Sequence, residues 1–166
     1  MIRRSGFGSA PLVRRGGSRG QALAEFALVA PIFFLVLFGI IDFGRYVYYV
    51  QILNNAAREG ARYAIVHGSN SLNPSGPPAS GTTSSDPTGT KVVAVVRNFA
   101  IGVIGDTSVL TVTPQWFAQP LCLNPGTNAR ENCVKVQVTY QFHSVIPVVP
   151  IPAIQITGES TLVINN

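Results

Sequence analysis

Glu25 is the residue whose position has the clearest chemical consequence in this sequence. It lies in the apolar run of residues 22–41, whose twenty positions hold no other charged side chain. A carboxylate inside a hydrocarbon layer costs on the order of 3 kcal/mol unless a partner neutralises it, so such a residue is typically functional. The alternative is that Glu25, one turn from the helix start, extends its side chain to the nearby headgroups.

Two cysteines, Cys122 and Cys133, form the second candidate for chemistry, with ten residues between them. There is no Cys-x-x-Cys pair and no histidine at ligand spacing, so the sequence predicts no metal site. In an exported domain, the two thiols are expected to form a disulfide that closes a small loop. Such a ring stabilises a fold by about 2–3 kcal/mol in the loop-entropy model.

The remaining titratable residues do not form a catalytic pattern. His67 and His143 have no Asp, Ser or Cys beside them in a familiar arrangement, and the seven acidic residues are scattered. The sequence also lacks a phosphate-binding glycine loop. We therefore predict a protein that is not an enzyme and has no cofactor, in which both histidines are structural or exposed.

Basic charge is concentrated at the N-terminus. Five arginines fall within the first 19 residues, where no acidic residue occurs, and the other seven basic residues balance the seven acidic ones. The net charge of +5 therefore describes a leader, and nucleic acid is not expected as a partner. Charge alone also fits a disordered basic tail. Since only 11% of residues are charged and 46% are hydrophobic, part of the chain is not expected to meet water.

Residues 22–41 predict a helix that spans a membrane. Twenty helical residues cover about 30 Å, the thickness of the hydrocarbon core, and the run is longer than that of a secretory signal peptide. Arginines before the span place the N-terminus in the cytoplasm and the C-terminal domain outside. Tyr46, Tyr48 and Tyr49 predict an aromatic collar at the outer interface.

Two further features belong to this helix. Pro31 lies in mid-span and lacks a backbone N–H, which predicts a kink near residues 27–31. Asp42 and Arg45 are three residues apart, so their side chains are expected to pair on one helix face.

A short motif opens the span: Gly20, four residues, and then Glu25-Phe26. It resembles the prepilin-peptidase site of Flp/Tad-type pilins, in which the peptidase cuts after the glycine on the cytoplasmic side. The resemblance implies that the basic leader, residues 1–20, is removed and that Gln21 becomes the new N-terminus. It also implies that Glu25 and Phe26 act in assembly, where the carboxylate pairs with the free α-amino group of a neighbouring subunit.

The run from Phe43-Gly44-Arg45 to Asn54-Asn55-Ala56-Ala57-Arg58-Glu59-Gly60-Ala61-Arg62-Tyr63-Ala64 looks like the TadE-like family. These are the minor pilins or pseudopilins of tight-adherence (Flp, Tad) pilus systems, and the resemblance covers residues 20 to about 66. It implies a non-enzymatic role in the assembly or structure of a Tad-type pilus or secretion apparatus, and hence in cell adhesion or secretion. The implied partners are the prepilin peptidase, other pilin subunits, the Tad assembly machinery and membrane lipid.

The implied location is the bacterial cytoplasmic membrane, with a single span and, on assembly, a surface pilus. A second function stays open on the residues alone. The chain would then be an unprocessed, single-pass membrane anchor that presents an extracytoplasmic binding domain and does not assemble.

The predicted fold class is α+β, in which the long N-terminal membrane helix (span, residues 21–42) continues into a small antiparallel β-sheet domain of pilin-like type. The helix is expected to continue through residues 43–67 and to end near Val66. It carries an apolar stripe that we expect to pack on the chain's own sheet, with an intersubunit surface as the alternative. The stripe consists of Tyr46, Val50, Leu53, Ala57, Ala61 and Ala64.

The rest of the chain divides into a loop and a sheet. Residues 68–90 are rich in Ser, Gly and Pro and predict a flexible loop. Within residues 91–166, the segment 91–101 predicts a short helix, although its valines also permit a strand. Alternation predicts strands near 109–116, 133–143 and 155–164. The prolines of 145–154 exclude a central strand, so that segment is expected to cap the sheet or touch the membrane surface.

Overall fold

The computed structural model describes residues 18–145 and 152–165. The predicted leader, apart from its last three residues, lies outside the described residues, and so does most of the proline-rich segment after the second long strand. Helix α1 is Ser18–Val66 and has 49 residues, a length of about 74 Å. The predicted single long helix is therefore confirmed. Pro31 lies inside α1, which continues through it as one element, and the kink stays a prediction.

The C-terminal part folds as a small antiparallel sheet. Helix α2 is Thr90–Ile104, and a short 3₁₀ turn covers Thr107–Val109. The strands are β1 (Thr111–Ala118), β2 (Asn124–Pro125), β3 (Cys133–Phe142) and β4 (Ile154–Val163). They lie in the order β2-β1-β3-β4, and all neighbouring pairs are antiparallel. The predicted α+β fold is confirmed, while β2 has only two residues and no pattern that would predict it.

Alternation in β3 explains why α1 lies on one face of this sheet. Val134, Val136 and Val138 are fully buried, whereas the intervening residues of the strand are at least partly exposed. Because successive side chains of a strand point to opposite faces, these valines form one wall of the core and α1 forms the other. The core also contains residues of α2, of the strands and of the positions next to them: Val92, Val96, Ala100, Leu110, Trp116, Phe142, Ile156 and Ile164.

Small residues let α1 approach the sheet and α2 closely. A Cβ atom on Gly158 of β4 would lie 2.5 Å from the carbonyl carbon of Leu53 in α1. A Cβ atom on Gly60 would lie 2.5 Å from Cγ2 of Val96. Leu53, Ala57, Ala61 and Ala64 of the predicted stripe are fully buried, so the stripe packs on the chain's own domain as expected.

The segment between α1 and α2 has no helix or strand, but defined hydrogen bonds hold it to the domain. Residues 69, 75, 76 and 77 all take part in backbone hydrogen bonds that close the loop on itself or on the β2–β3 connection. These bonds are Ser69 N to Asn128 O (2.9 Å), Ser75 N to His67 O (2.8 Å), Gly76 N to Asp86 O (2.7 Å) and Asn128 N to Pro77 O (2.7 Å).

Trp116 is the apolar contact of this loop. Its indole packs against Gly76 and Gly89, where a Cβ atom would come within 2.3 Å and 2.5 Å of the ring. Both glycines have positive φ angles, 99° and 74°, which other residues rarely adopt. The composition of this segment predicts a flexible loop, because few of its side chains are apolar. Composition carries no information about backbone hydrogen bonds or about a tryptophan contributed by a distant strand.

Candidate processing and assembly site

Gly20 and Gln21, the predicted cleavage pair, lie in the first turn of α1 and are both exposed. A Cβ atom on Gly20 would meet no other atom within 4 Å. No described side chain therefore crowds the position of Gly20, next to the peptide bond that follows it. This bond belongs to the first helical turn of α1.

Glu25 lies one turn after Gln21 and is exposed on the surface of α1. The Gln21 side-chain amide donates a hydrogen bond to its carboxylate, with 3.1 Å between Nε2 and Oε1. Within the described part of the chain, Glu25 makes no ion pair. The carboxylate therefore remains open to a cation from outside the chain.

Apolar side chains surround Glu25 and continue along α1 for five turns. Phe26, the predicted assembly residue, is 68% exposed, and Leu23 is 70% exposed. One helix of the described chain is long and apolar enough to cross a membrane. An apolar surface of this extent needs lipid or another protein to cover it. The large exposed residues are Leu23, Phe26, Leu28, Val29, Ile32, Phe33, Phe34, Leu35, Val36, Leu37, Phe38, Ile40, Ile41 and Phe43.

Asp42 joins the end of this apolar surface to the globular domain. The Arg45 guanidinium lies 3.0 Å from its carboxylate, which confirms the predicted pair. The Ser144 hydroxyl and the Val145 backbone amide also donate hydrogen bonds to the carboxylate. Asp42 is 8% exposed, so these four groups form a compact polar junction between α1 and the chain after β3. The Ser144 contact was beyond sequence reasoning, because 102 residues separate the partners.

The three tyrosines of the predicted collar divide between two environments. Tyr46 and Tyr49 both pack on Phe142, with ring centroids 5.8 Å apart in each case. Arg45 lies over the rings of Tyr49 and Phe142, at 5.9 Å and 5.4 Å from their centroids. Tyr48 is 51% exposed, and its ring centroid lies 6.5 Å from that of Tyr49. Two of the three rings thus fix the sheet to the helix, and a position at the membrane interface stays a prediction.

Cys122 and Cys133 form a disulfide in the structure. It ties the β1–β3 connection to the first residue of β3, at the end of the sheet that lies far from the apolar half of α1. His67 stacks on Tyr63 at 3.9 Å between ring centroids, and its Nδ1 donates to the Tyr63 carbonyl at 2.9 Å. This histidine has a structural role. His143 is exposed.

Asp86 organises the start of α2, a role that the sequence did not reveal. Its carboxylate accepts hydrogen bonds from the Thr90 and Lys91 backbone amides, both at 2.8 Å, and from the Ser75 hydroxyl at 2.9 Å. Burial alone would raise the pKa of Asp86, but the hydrogen bonds from Thr90, Lys91 and Ser75 outweigh it and lower the pKa. The available signal was an acidic residue four positions before the first residue of a helix, which is three positions before the N-cap, Gly89.

One known protein family matches the part of the chain that contains Gly20 and Glu25. Residues 20–62 match the family model described as TadE-like protein. The chain is thus similar to TadE-like proteins over residues 20–62, which lie within its long helix. The match begins at Gly20, includes Glu25 and the apolar span, and extends to the part of α1 that packs on the sheet. Neither the curated proteins nor the solved structures contain a match to this chain.

Proposed function

We propose that this TadE-like chain is a non-enzymatic minor pilin or pseudopilin of a Tad-type pilus or secretion apparatus. The proposal rests chiefly on one observation: the TadE-like match begins at the glycine of Gly20-x4-Glu25-Phe26, and this motif opens an exposed apolar helix. A prepilin peptidase cuts after Gly20 on the cytoplasmic side. The leader arginines orient the chain before the cut and leave with the leader.

Cleavage gives the Glu25 carboxylate a partner. The new α-amino group on Gln21 is an ammonium that lies one helical turn from the level of Glu25, about 6 Å along the axis. A neighbouring subunit displaced by that distance along the bundle brings its ammonium to this carboxylate. Pairing of the two charges removes the cost of a lone carboxylate among apolar side chains, so the charge favours assembly over a monomeric anchor.

The apolar half of α1 is then in contact first with lipid and later with other subunits. Before assembly, lipid covers the apolar half of α1, and the domain built on β1, β3 and β4 lies outside the cytoplasmic membrane. On assembly, the apolar halves of neighbouring helices cover each other. Assembly machinery of the Tad system and other pilin subunits are accordingly the expected partners.

The test of this proposal is Glu25→Gln, which keeps the shape and the Gln21 contact but removes the charge. Membrane insertion and cleavage are expected to continue, whereas incorporation of the subunit into pili, measured by immunoblotting of sheared fibres, is expected to fall at least tenfold. Glu59→Gln is the matched control, because Glu59 is a partly exposed residue farther along the same helix. Normal incorporation of Glu25→Gln would leave the unassembled, membrane-anchored binding protein as the better account.

A further inference from the structure

An apolar groove lies where helix α1 leaves the predicted span. It has a volume of about 390 Å³. One wall is a stripe of α1 formed by Gly39, Phe43 and Tyr46, which are spaced four and three residues apart and so lie on one helix face. The opposite wall consists of Phe142 at the end of β3 and Ile154 at the start of β4.

The carboxylate and the serine hydroxyl that line the groove already have partners. Asp42 and Ser144 also line it, but they bond to each other, and Asp42 takes further hydrogen bonds from Arg45 and Val145. Because hydrogen bonds within the chain satisfy these groups, the groove offers an occupant mainly hydrocarbon contact. This chemistry suits an acyl chain better than a polar ligand or a peptide backbone.

The walls continue the surface that faces lipid in the proposed function. Phe43 is 68% exposed and follows directly on the apolar residues of the span, while Val145 on the domain side is 63% exposed. The helix from residue 21 to residue 46 measures about 39 Å, so Tyr46 reaches the far headgroup region when Gln21 lies in the near one. The groove therefore opens at the depth where the acyl chains of the outer leaflet begin.

We propose that this groove binds an acyl chain of an outer-leaflet phospholipid and seats the base of the domain in the membrane surface. The lipid boundary on this side of α1 then lies at Phe43 to Tyr46, above the last residue of the apolar run. Asp42 is tolerated below that boundary because the Arg45, Ser144 and Val145 contacts surround its carboxylate. The inference rests on the membrane insertion in the proposed function and is independent of cleavage and assembly.

Tryptophan fluorescence in vesicles of phosphatidylcholine brominated near the headgroup end of its acyl chains tests the groove. Ile154 and Val163 are the first and last residues of β4, with 43% and 44% exposure, so Ile154→Trp and Val163→Trp form a matched pair. Emission of full-length Ile154→Trp is expected to fall at least twofold relative to unbrominated vesicles, and that of Val163→Trp is expected to stay unchanged. The native Trp116 lies about 26 Å along the sheet from the groove end and gives a constant background.

Substitutions at two glycines of α1 distinguish binding of lipid in the groove from simple proximity of the groove to lipid. A Cβ atom meets nothing within 4 Å at Gly39 or at Gly44, but only Gly39 lines the groove among these two. Adding Gly39→Leu to Ile154→Trp is expected to remove at least half of the quenching, and adding Gly44→Leu none. In a second measurement without new tryptophans, Gly39→Leu is expected to retain at most half as much phospholipid after detergent exchange as Gly44→Leu.

Three results would overturn the inference. Equal quenching with Gly39→Leu and Gly44→Leu would mean that lipid does not enter the groove. Quenching that declines as the protein-to-lipid ratio rises tenfold would identify a second copy of the chain as the occupant. Absence of quenching in protein that floats with the vesicles would refute lipid binding in the groove but would be compatible with membrane insertion. Failure of the protein to float with the vesicles would contradict the proposed function itself.

Discussion

Glu25, Asp42 and Asp86 are carboxylates in three different surroundings. Asp42 and Asp86 are buried, and groups within the chain satisfy each of them, from a guanidinium and a hydroxyl at Asp42 to helix amides at Asp86. Glu25 is exposed, and among the described residues its hydrogen-bond partner is the Gln21 amide. Since the two buried carboxylates have their hydrogen-bond partners within the chain, Glu25 is the one of the three for which an external partner is expected.

Gly20→Ala is expected to block removal of the leader, because a peptidase that accepts glycine before the cut excludes a larger side chain. A Cβ atom fits at Gly20 without contact, so the substitution leaves the described helix intact. Intact-mass measurement of the membrane fraction should therefore show the full-length chain. Gly44→Ala, another open glycine of α1, should be processed normally. Normal processing of Gly20→Ala would rule out the assigned site.

Asp86→Asn is expected to destabilise the fold at neutral pH, by about 1–2 kcal/mol, through weaker bonds to the start of α2. The pKa of Asp86 is lowered by folding, so its charge contributes stability above the unfolded pKa of about 3.9, and this contribution is lost as the pH falls through the folded value. Thermal unfolding in detergent should show a difference between wild type and variant that narrows on acidification from pH 7 to pH 3. A difference that is independent of pH would mean that the charge of Asp86 is unimportant.

At the scale of elements, helix α1 meets β4 through a glycine, and this contact positions the sheet on the helix. The sequence predicted the faces of α1 and β3 well, because their apolar residues recur with the period of a helix or a strand. It could not predict that Gly158 lies on the backbone at Leu53, since a glycine in a strand has several explanations. The Trp116 contact with Gly76 and Gly89 was hidden as well, because it joins the alternating strand β1 to a loop that carries no periodic pattern.

Gly158→Ala is expected to destabilise the domain by about 1–3 kcal/mol or more, because its Cβ atom would overlap backbone atoms of α1 that cannot rotate away. Gly102→Ala in α2 provides the control. Its Cβ atom meets nothing within 4 Å, and alanine favours a helix interior over glycine by about 0.5–1 kcal/mol. Thermal unfolding followed by circular dichroism should give a lower midpoint for Gly158→Ala and an equal or higher one for Gly102→Ala. Equal midpoints for both variants would mean that the helix and β4 are not in close contact.

At the scale of the whole molecule, one helix serves two environments. Its first half is exposed and apolar, while its second half is buried against the chain's own sheet. The sequence predicted this division from one residue run and one stripe, and it predicted the Cys122–Cys133 disulfide. It predicted the Asp42–Arg45 pair but not the contacts of Asp42 with Ser144 and Val145, because these residues become neighbours of Asp42 only when β3 runs back towards the apolar half of α1.

In the function that we propose, this chain acts as a processed subunit whose mature form begins at Gln21. Intact-mass and N-terminal peptide measurement on the protein from cells with an active prepilin peptidase tests it most directly. We expect a chain that starts at Gln21, with Glu25 as its fifth residue, and a full-length chain when the peptidase is deleted. A mature chain that keeps Met1, or that starts at any other residue, would contradict it.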